Sequence, residues 1–185
     1  METTALIGLL DTCVSDFDSD GIADLVPQLH ASLPALLRST GEEDFDLLVR
    51  AARLIAFSHH PEPVSMCVSV LLDVGFAHMS RGKTLQAIPL IERALDLATD
   101  HDLKPELRRA CSIYAAMSTD VGIPARGVEY ALRAAVIAQE INFPLGVAAA
   151  FGNMTAALYG MGLYRETISV ALRVIKKYKG DAGFS

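Results

Sequence analysis

The chain has 185 residues, 51% of them apolar, and a formal net charge of −6, yet no apolar run reaches the ~18 residues that a membrane-crossing helix needs. Residues 1 to 46 hold ten acidic side chains against Arg38 alone, whereas the remainder holds fifteen basic against twelve acidic. An anionic chain repels phosphate, and Met1-Glu2-Thr3-Thr4 lacks the basic start of a secretory signal, so the sequence predicts a cytoplasmic protein that binds neither nucleic acid nor membrane.

The first predicted element, Thr3 to Ser15, is an amphipathic helix carrying Leu6, Ile7, Leu9, Leu10 and Val14. A turn of serine and aspartate follows. Residues Ile22 to Leu37 are apolar at helical spacing, but Pro27 and Pro34 each lack an amide proton, so a broken or kinked helix is expected there. Beyond Gly41, the acidic first turn Glu42-Glu43-Asp44 opens a helix reaching about Ser58, which His59-His60-Pro61-Glu62-Pro63 ends. Three helical hairpins come next: helices near 63 to 80 and 84 to 100, then 105 to 120 and 124 to 141, then 144 to 160 and 164 to 179. Pro63, Pro105 and Pro144 stand near the starts of the three first helices, where a missing amide proton costs little. Asp102 and Asn142 occupy equivalent inter-hairpin loops and suit a cap or a left-handed backbone.

Gly82, Gly122 and Gly162 recur at a forty-residue interval, and the residues after them stay in register: Ala87, Gly127 and Thr167, then Ala94, Ala134 and Val174. A period of this size marks a helical repeat array. On these residues, together with Gly75, each hairpin resembles a tetratricopeptide repeat, most closely in the first hairpin and least in the third. The resemblance covers about residues 64 to 180. It departs from the family pattern in its period of forty rather than thirty-four. It departs also in Leu71 and Cys111 at the aromatic fourth position, which only Phe151 fills with a ring, and in Thr99, Gln139 and Lys179 where a proline is usual. What it implies is an all-α fold, a right-handed α-α superhelix of antiparallel helical hairpins. Hairpins at 62–101, 102–141 and 142–180 would follow an N-terminal degenerate repeat or cap at 1–61, with 181–185 a tail, truncated from a longer protein. Repeats of this long variety are similar to those in bacterial signalling and regulatory proteins.

Little in the sequence looks like chemistry. Asp16-Phe17-Asp18-Ser19-Asp20-Gly21 has the alternating carboxylates of a calcium loop, but Pro27 stands where a bidentate glutamate should close the shell, so an acidic turn capping the next helix is expected. His59 and His60 lack further ligands at zinc-site spacing, and His78 falls at a position normally buried between helices. Cys13, Cys67 and Cys111 are far apart in apolar helical patterns and read as core thiols. No acid, base and nucleophile set converges. The sequence therefore predicts no enzyme, no metal and no cofactor.

The resemblance implies a concave groove built from the first helix of each hairpin. It assigns to that groove Leu72, Asp73, Phe76 and Met79 from the first, Arg109, Ile113, Ala116 and Thr119 from the second, and Asn153, Ala156 and Tyr159 from the third. The paired lysines and asparagines with which chaperone-binding members hold a carboxylate are not there. An apolar floor suits a peptide or protein partner, and the expected role is a protein-interaction or regulatory sensor domain at the N-terminus of a bacterial signalling protein. The output would be a diguanylate cyclase or a transcriptional regulator, itself a partner of the array. The alternatives are a homodimer paired through Ile7, Leu10, Leu25 and Leu29 if these are exposed, or a small-molecule or calcium sensor with a cavity floored by Phe76, Met79 and Tyr159.

Overall fold

The computed structural model describes residues 3–39, 41–57 and 63–178. Among these, every regular element is an α-helix: α1 Thr3–Ser15, α2 Ser19–Ser39, α3 Glu42–Phe57, α4 Val64–Ser80, α5 Thr84–Asp100, α6 Lys104–Asp120, α7 Pro124–Glu140, α8 Pro144–Gly160 and α9 Tyr164–Tyr178. No described helix is long and apolar enough to cross a membrane. The segment expected to end α3, at 58–62, lies outside the described residues.

The chain divides into two compact units, Met1–His101 and Asp102–Ser185. In the first, α1 packs on α2 and α3, α2 and α3 both pack on α4, and α4 pairs with α5. Its core is supplied by faces at helical spacing. In α2 the buried residues are Ile22, Val26, Leu29, Leu33 and Leu36, so one stripe faces inward for the whole length of the helix. That stripe explains why α2 is continuous where a break was expected. Pro27 and Pro34 are seven residues apart on the opposite, exposed face, so the turns that lose a hydrogen bond there adjoin solvent. Leu10 and Leu29 are fully buried, and Ile7 and Leu25 half-buried, so the condition under which they would pair two chains is not met.

In the second unit α6, α7, α8 and α9 pack in succession, and the two first helices α6 and α8 also touch directly. Small residues set the spacing. Ala131, Ala134 and Ala138 on α7 are buried, and Gly127 is so close to its neighbours that an added Cβ would lie 2.9 Å from the Ala115 carbonyl oxygen on α6 and 3.1 Å from Ala157 Cβ on α8.

The turns repeat one device. Gly82, Gly122 and Gly162 have φ of 74°, 81° and 76°, and the next residue's amide donates back to the helix it leaves, Lys83 to His78, Ile123 to Ser118 and Leu163 to Leu158. Asn142, with φ 54°, does the same through Phe143 to Ala138 at 2.8 Å, and Asp102 adopts φ 50°, as their loop positions predict. The end of α1 follows the pattern with the wrong residue. Phe17 has φ 54°, Asp18 N–H donates to the Cys13 carbonyl at 2.9 Å, and the Phe17 ring is 80% exposed. A left-handed backbone costs a non-glycine residue about 1 kcal/mol, and this ring recovers little by burial. Phe17→Gly is therefore expected to stabilise the protein by about 1 kcal/mol, read as a raised midpoint in chemical denaturation. An unchanged or lowered midpoint would show that the ring is held by contacts that offset the strain.

Candidate partner-binding surface

The acidic turn between α1 and α2 is a cap. Asp18 Oδ1 accepts the Gly21 amide at 2.9 Å, and its carbonyl accepts the Ile22 amide, so this residue closes the first turn of α2. Three or more His, Cys, Asp or Glu side chains nowhere cluster to hold a metal among the described residues. Cys67 and Cys111 are buried, and burial pushes the Cys111 thiol up to about 11, which suppresses the reactive thiolate. His78 is 2% exposed, meets the Phe45 ring edge-on at 5.2 Å between centroids, and its Nδ1 has no hydrogen-bond partner among the described residues. Burial holds its pKa below the ordinary value, with Lys83 and Arg53 adding to the shift, so it is a neutral core imidazole.

The residues assigned to the groove separate into two groups once their surroundings are known. On α4, Leu72 is wholly buried and belongs to the core, whereas Asp73 and Met79 are half-buried and Phe76 is 50% exposed. Asp73, Phe76 and Met79 share one face by their three-residue spacing. On α6, Ile113 is buried and Arg109, Ala116 and Thr119 are half-buried; on α8, Asn153 is half-buried while Ala156 and Tyr159 are exposed. Leu72 and Ile113 fall at inward register positions, and that is why they offer no surface. The α6 and α8 sets lie side by side. Asn153 Nδ2 donates to the Ser112 carbonyl at 2.9 Å, tying α8 to α6, and Tyr159, 64% exposed, meets Tyr164 edge-on at 5.4 Å.

Two solved structures resemble this chain along nearly its whole length. One is a single-substitution variant of a Podosopora anserina protein described as kinesin light chain-like, with nearly identical TPR-like repeats. It aligns with a TM-score of 0.62 at 16% identity, covering 97% of this chain and 100% of that one. The unsubstituted protein aligns with a TM-score of 0.51 at 15% identity, covering 97% and 96%. The fold is tetratricopeptide-like. At that identity the likeness speaks to TPR-like architecture alone. No family profile matches the chain, and no curated protein matches it in sequence.

The described residues also enclose a cavity at a place the sequence does not mark. Between α7, α8 and α9 lies a cavity of about 270 Å³ lined by Gln139, Phe151, Met154, Val170, Arg173, Val174 and Lys177. The sensor reading placed its cavity at Phe76, Met79 and Tyr159 instead. The signal was present in the repeat register. Forty residues before Met154 and Val170 stand Tyr114 and Tyr130, whose rings meet at a tilt of 40° with centroids 4.3 Å apart in the preceding hairpin. Exchanging two tyrosines for methionine and valine removes ring volume from the same seam.

Proposed function

We propose that the chain is a non-enzymatic regulatory module that binds a peptide or protein on the exposed face of its first helices. In this reading it forms the N-terminal part of a bacterial signalling protein whose output is a diguanylate cyclase or a transcriptional regulator. The observation that carries the reading is the Tyr159 surface of α8, an exposed aromatic beside exposed Ala156, held in place by the Asn153 bond to α6. Exposed aromatics on a rigid helix are efficient anchors, because they bury much area while giving up few rotamers. TPR-like repeats generally mediate protein–protein contact, which supports the same conclusion.

Helix α9 supplies a route for coupling. Tyr164, Ile168, Leu172 and Ile175 are each more than half exposed and fall on one face of α9 by helical spacing. Their counterparts forty residues earlier include Ala135, which is buried, and Val128, which packs on the Ala115–Ala131–Met154 cluster. A partner that selects one arrangement of α6 and α8 would bias α9 through their shared packing, and the outward stripe of α9 would carry that bias to the output domain.

The test is binding of amphipathic helical peptides, read by fluorescence anisotropy. Tyr159→Ala is expected to weaken a bound peptide by a factor of about thirty, while costing the fold no more than about 1 kcal/mol, the worth of its edge-on contact with Tyr164. Equal binding by the parent and the variant would remove the α8 surface from the mechanism. In the intact signalling protein, an output activity indifferent to deletion of residues 1 to 180 would refute the regulatory role itself.

A further inference from the structure

The geometry points to the α7–α8–α9 cavity as a binding site for a small hydrophobic carboxylate, an aromatic or short acyl acid of about a dozen non-hydrogen atoms at interior packing density. The reading is independent of the peptide-binding face. It rests on three features of one seam. The walls are apolar: Phe151 and Met154 come from α8, and Val170 and Val174 from α9, with Met154 nearly buried at 8% exposure. The rim is cationic, since Arg173 and Lys177 stand one helical turn apart on α9 and none of the lining residues is acidic. The third feature is the repeat register.

In the preceding hairpin, the position of Lys177 is held by Ile137, a buried core residue. The positions of Met154 and Val170 are held by the tilted ring pair Tyr114 and Tyr130, and the Tyr114 hydroxyl accepts a hydrogen bond from Arg126 Nη1 at 3.2 Å. One hairpin thus fills its seam with its own phenol rings. The other exchanges those rings for a flexible thioether and a valine, and an inward aliphatic for a cation. An apolar body with one anionic end matches both changes, because the body replaces the missing ring volume and the carboxylate meets the exposed Arg173 and Lys177 at the rim. A neutral aromatic satisfies only the first. A dicarboxylate or a phosphate ester leaves charge against Phe151 and Val174, which disfavours it.

The experiment titrates naphthalene-2-carboxylate into the full chain and follows the methyl resonances of Met154 and Val170 by NMR. Naphthalen-2-ylmethanol serves as the neutral match. The expected result is saturable binding with a Kd on the order of 100 µM, at least about tenfold weaker for the alcohol. Arg173→Gln with Lys177→Gln should abolish that preference for the acid. Met154→Tyr with Val170→Tyr, which restores the residues of the preceding hairpin, should eliminate binding of both probes with the helical circular dichroism retained. Absence of saturation below about 5 mM, equal binding of acid and alcohol, or undiminished binding by the folded double-tyrosine variant would each overturn the assignment. Should the double-tyrosine variant fail to fold, the Arg173 and Lys177 substitutions on the exposed rim decide the matter alone.

Discussion

Gly127→Ala is expected to destabilise the Asp102–Ser185 unit by about 2 kcal/mol, and Gly127→Val by about 4 kcal/mol, even though either side chain is a better helix former than glycine. Propensity alone would favour alanine by about 1 kcal/mol at an interior helical position. What opposes it is the identity of the neighbours. An added Cβ would stand 2.9 Å from the Ala115 carbonyl oxygen and 2.9 Å from Thr119 Oγ1, both on α6, with Ala157 Cβ 3.1 Å away on α8. The carbonyl is fixed by its own helix, and Thr119 Oγ1 is held in place by donating to that same oxygen at 3.2 Å. No flexible end can swing aside, so α6 and α8 must both retreat from α7. Gly75 provides the contrast. Its added Cβ would meet Ile91 Cδ1 at 2.5 Å, the mobile tip of a long side chain, with Ile91 Cγ1 at 3.1 Å, so Gly75→Ala should cost less than about 1 kcal/mol. Urea denaturation of the two alanine variants compares them directly. A Gly127→Ala protein as stable as its parent would mean that the three helices are spaced more loosely than this packing requires.

That contrast also marks how far the sequence could be read. The forty-residue glycine register, the helix spans and the left-handed turn residues were legible because each depends on local chemistry: backbone freedom, missing amide protons and helical periodicity. Asp102 and Asn142 were recognisable in the same way. The two prolines of α2 misled because their cost depends on which face they occupy, and both fall opposite the stripe that the fold buries. The inward or outward sense of Leu72 and Ile113 was likewise a question of register to within one residue, which pattern alone does not fix. The α7–α8–α9 cavity is hidden in the sequence for a different reason. It comes from a loss of side-chain volume relative to another repeat, so it is visible only when Met154 and Val170 are set beside Tyr114 and Tyr130.

Phe45→Ala is expected to cost the Met1–His101 unit about 4 kcal/mol and to alter how its stability depends on pH. Phe45 is among the largest fully buried side chains, at 1% exposure, and it joins α3 to the end of α4. The Arg81 guanidinium carbon lies 3.7 Å above the ring centroid, and the His78 imidazole abuts the ring edge. Truncation leaves a cavity, removes a cation–π contact of about 1 kcal/mol, and admits water to the imidazole. In the parent, burial depresses the His78 pKa from 6.5, aided by the positive charges of Lys83, Arg53 and Arg81 and opposed by Asp46. The unfolded chain then binds a proton at a pH where the folded chain does not. Stability therefore falls as the pH drops through 6.5, until the folded-state pKa is also passed. Phe45→Ala hydrates the imidazole, so the loss of stability between about pH 7 and pH 5 should be shallower than in the parent. His78→Leu removes both the titrating group and an unsatisfied buried nitrogen, and should gain about 1 kcal/mol at pH 5 relative to the parent. Denaturant midpoints of the three proteins at pH 5, 6 and 7 separate the two effects. If the parent and His78→Leu lose stability in parallel as the pH falls, the dependence belongs to carboxylates rather than to the imidazole; if Phe45→Ala costs less than about 1.5 kcal/mol, the ring does not anchor α3 to α4.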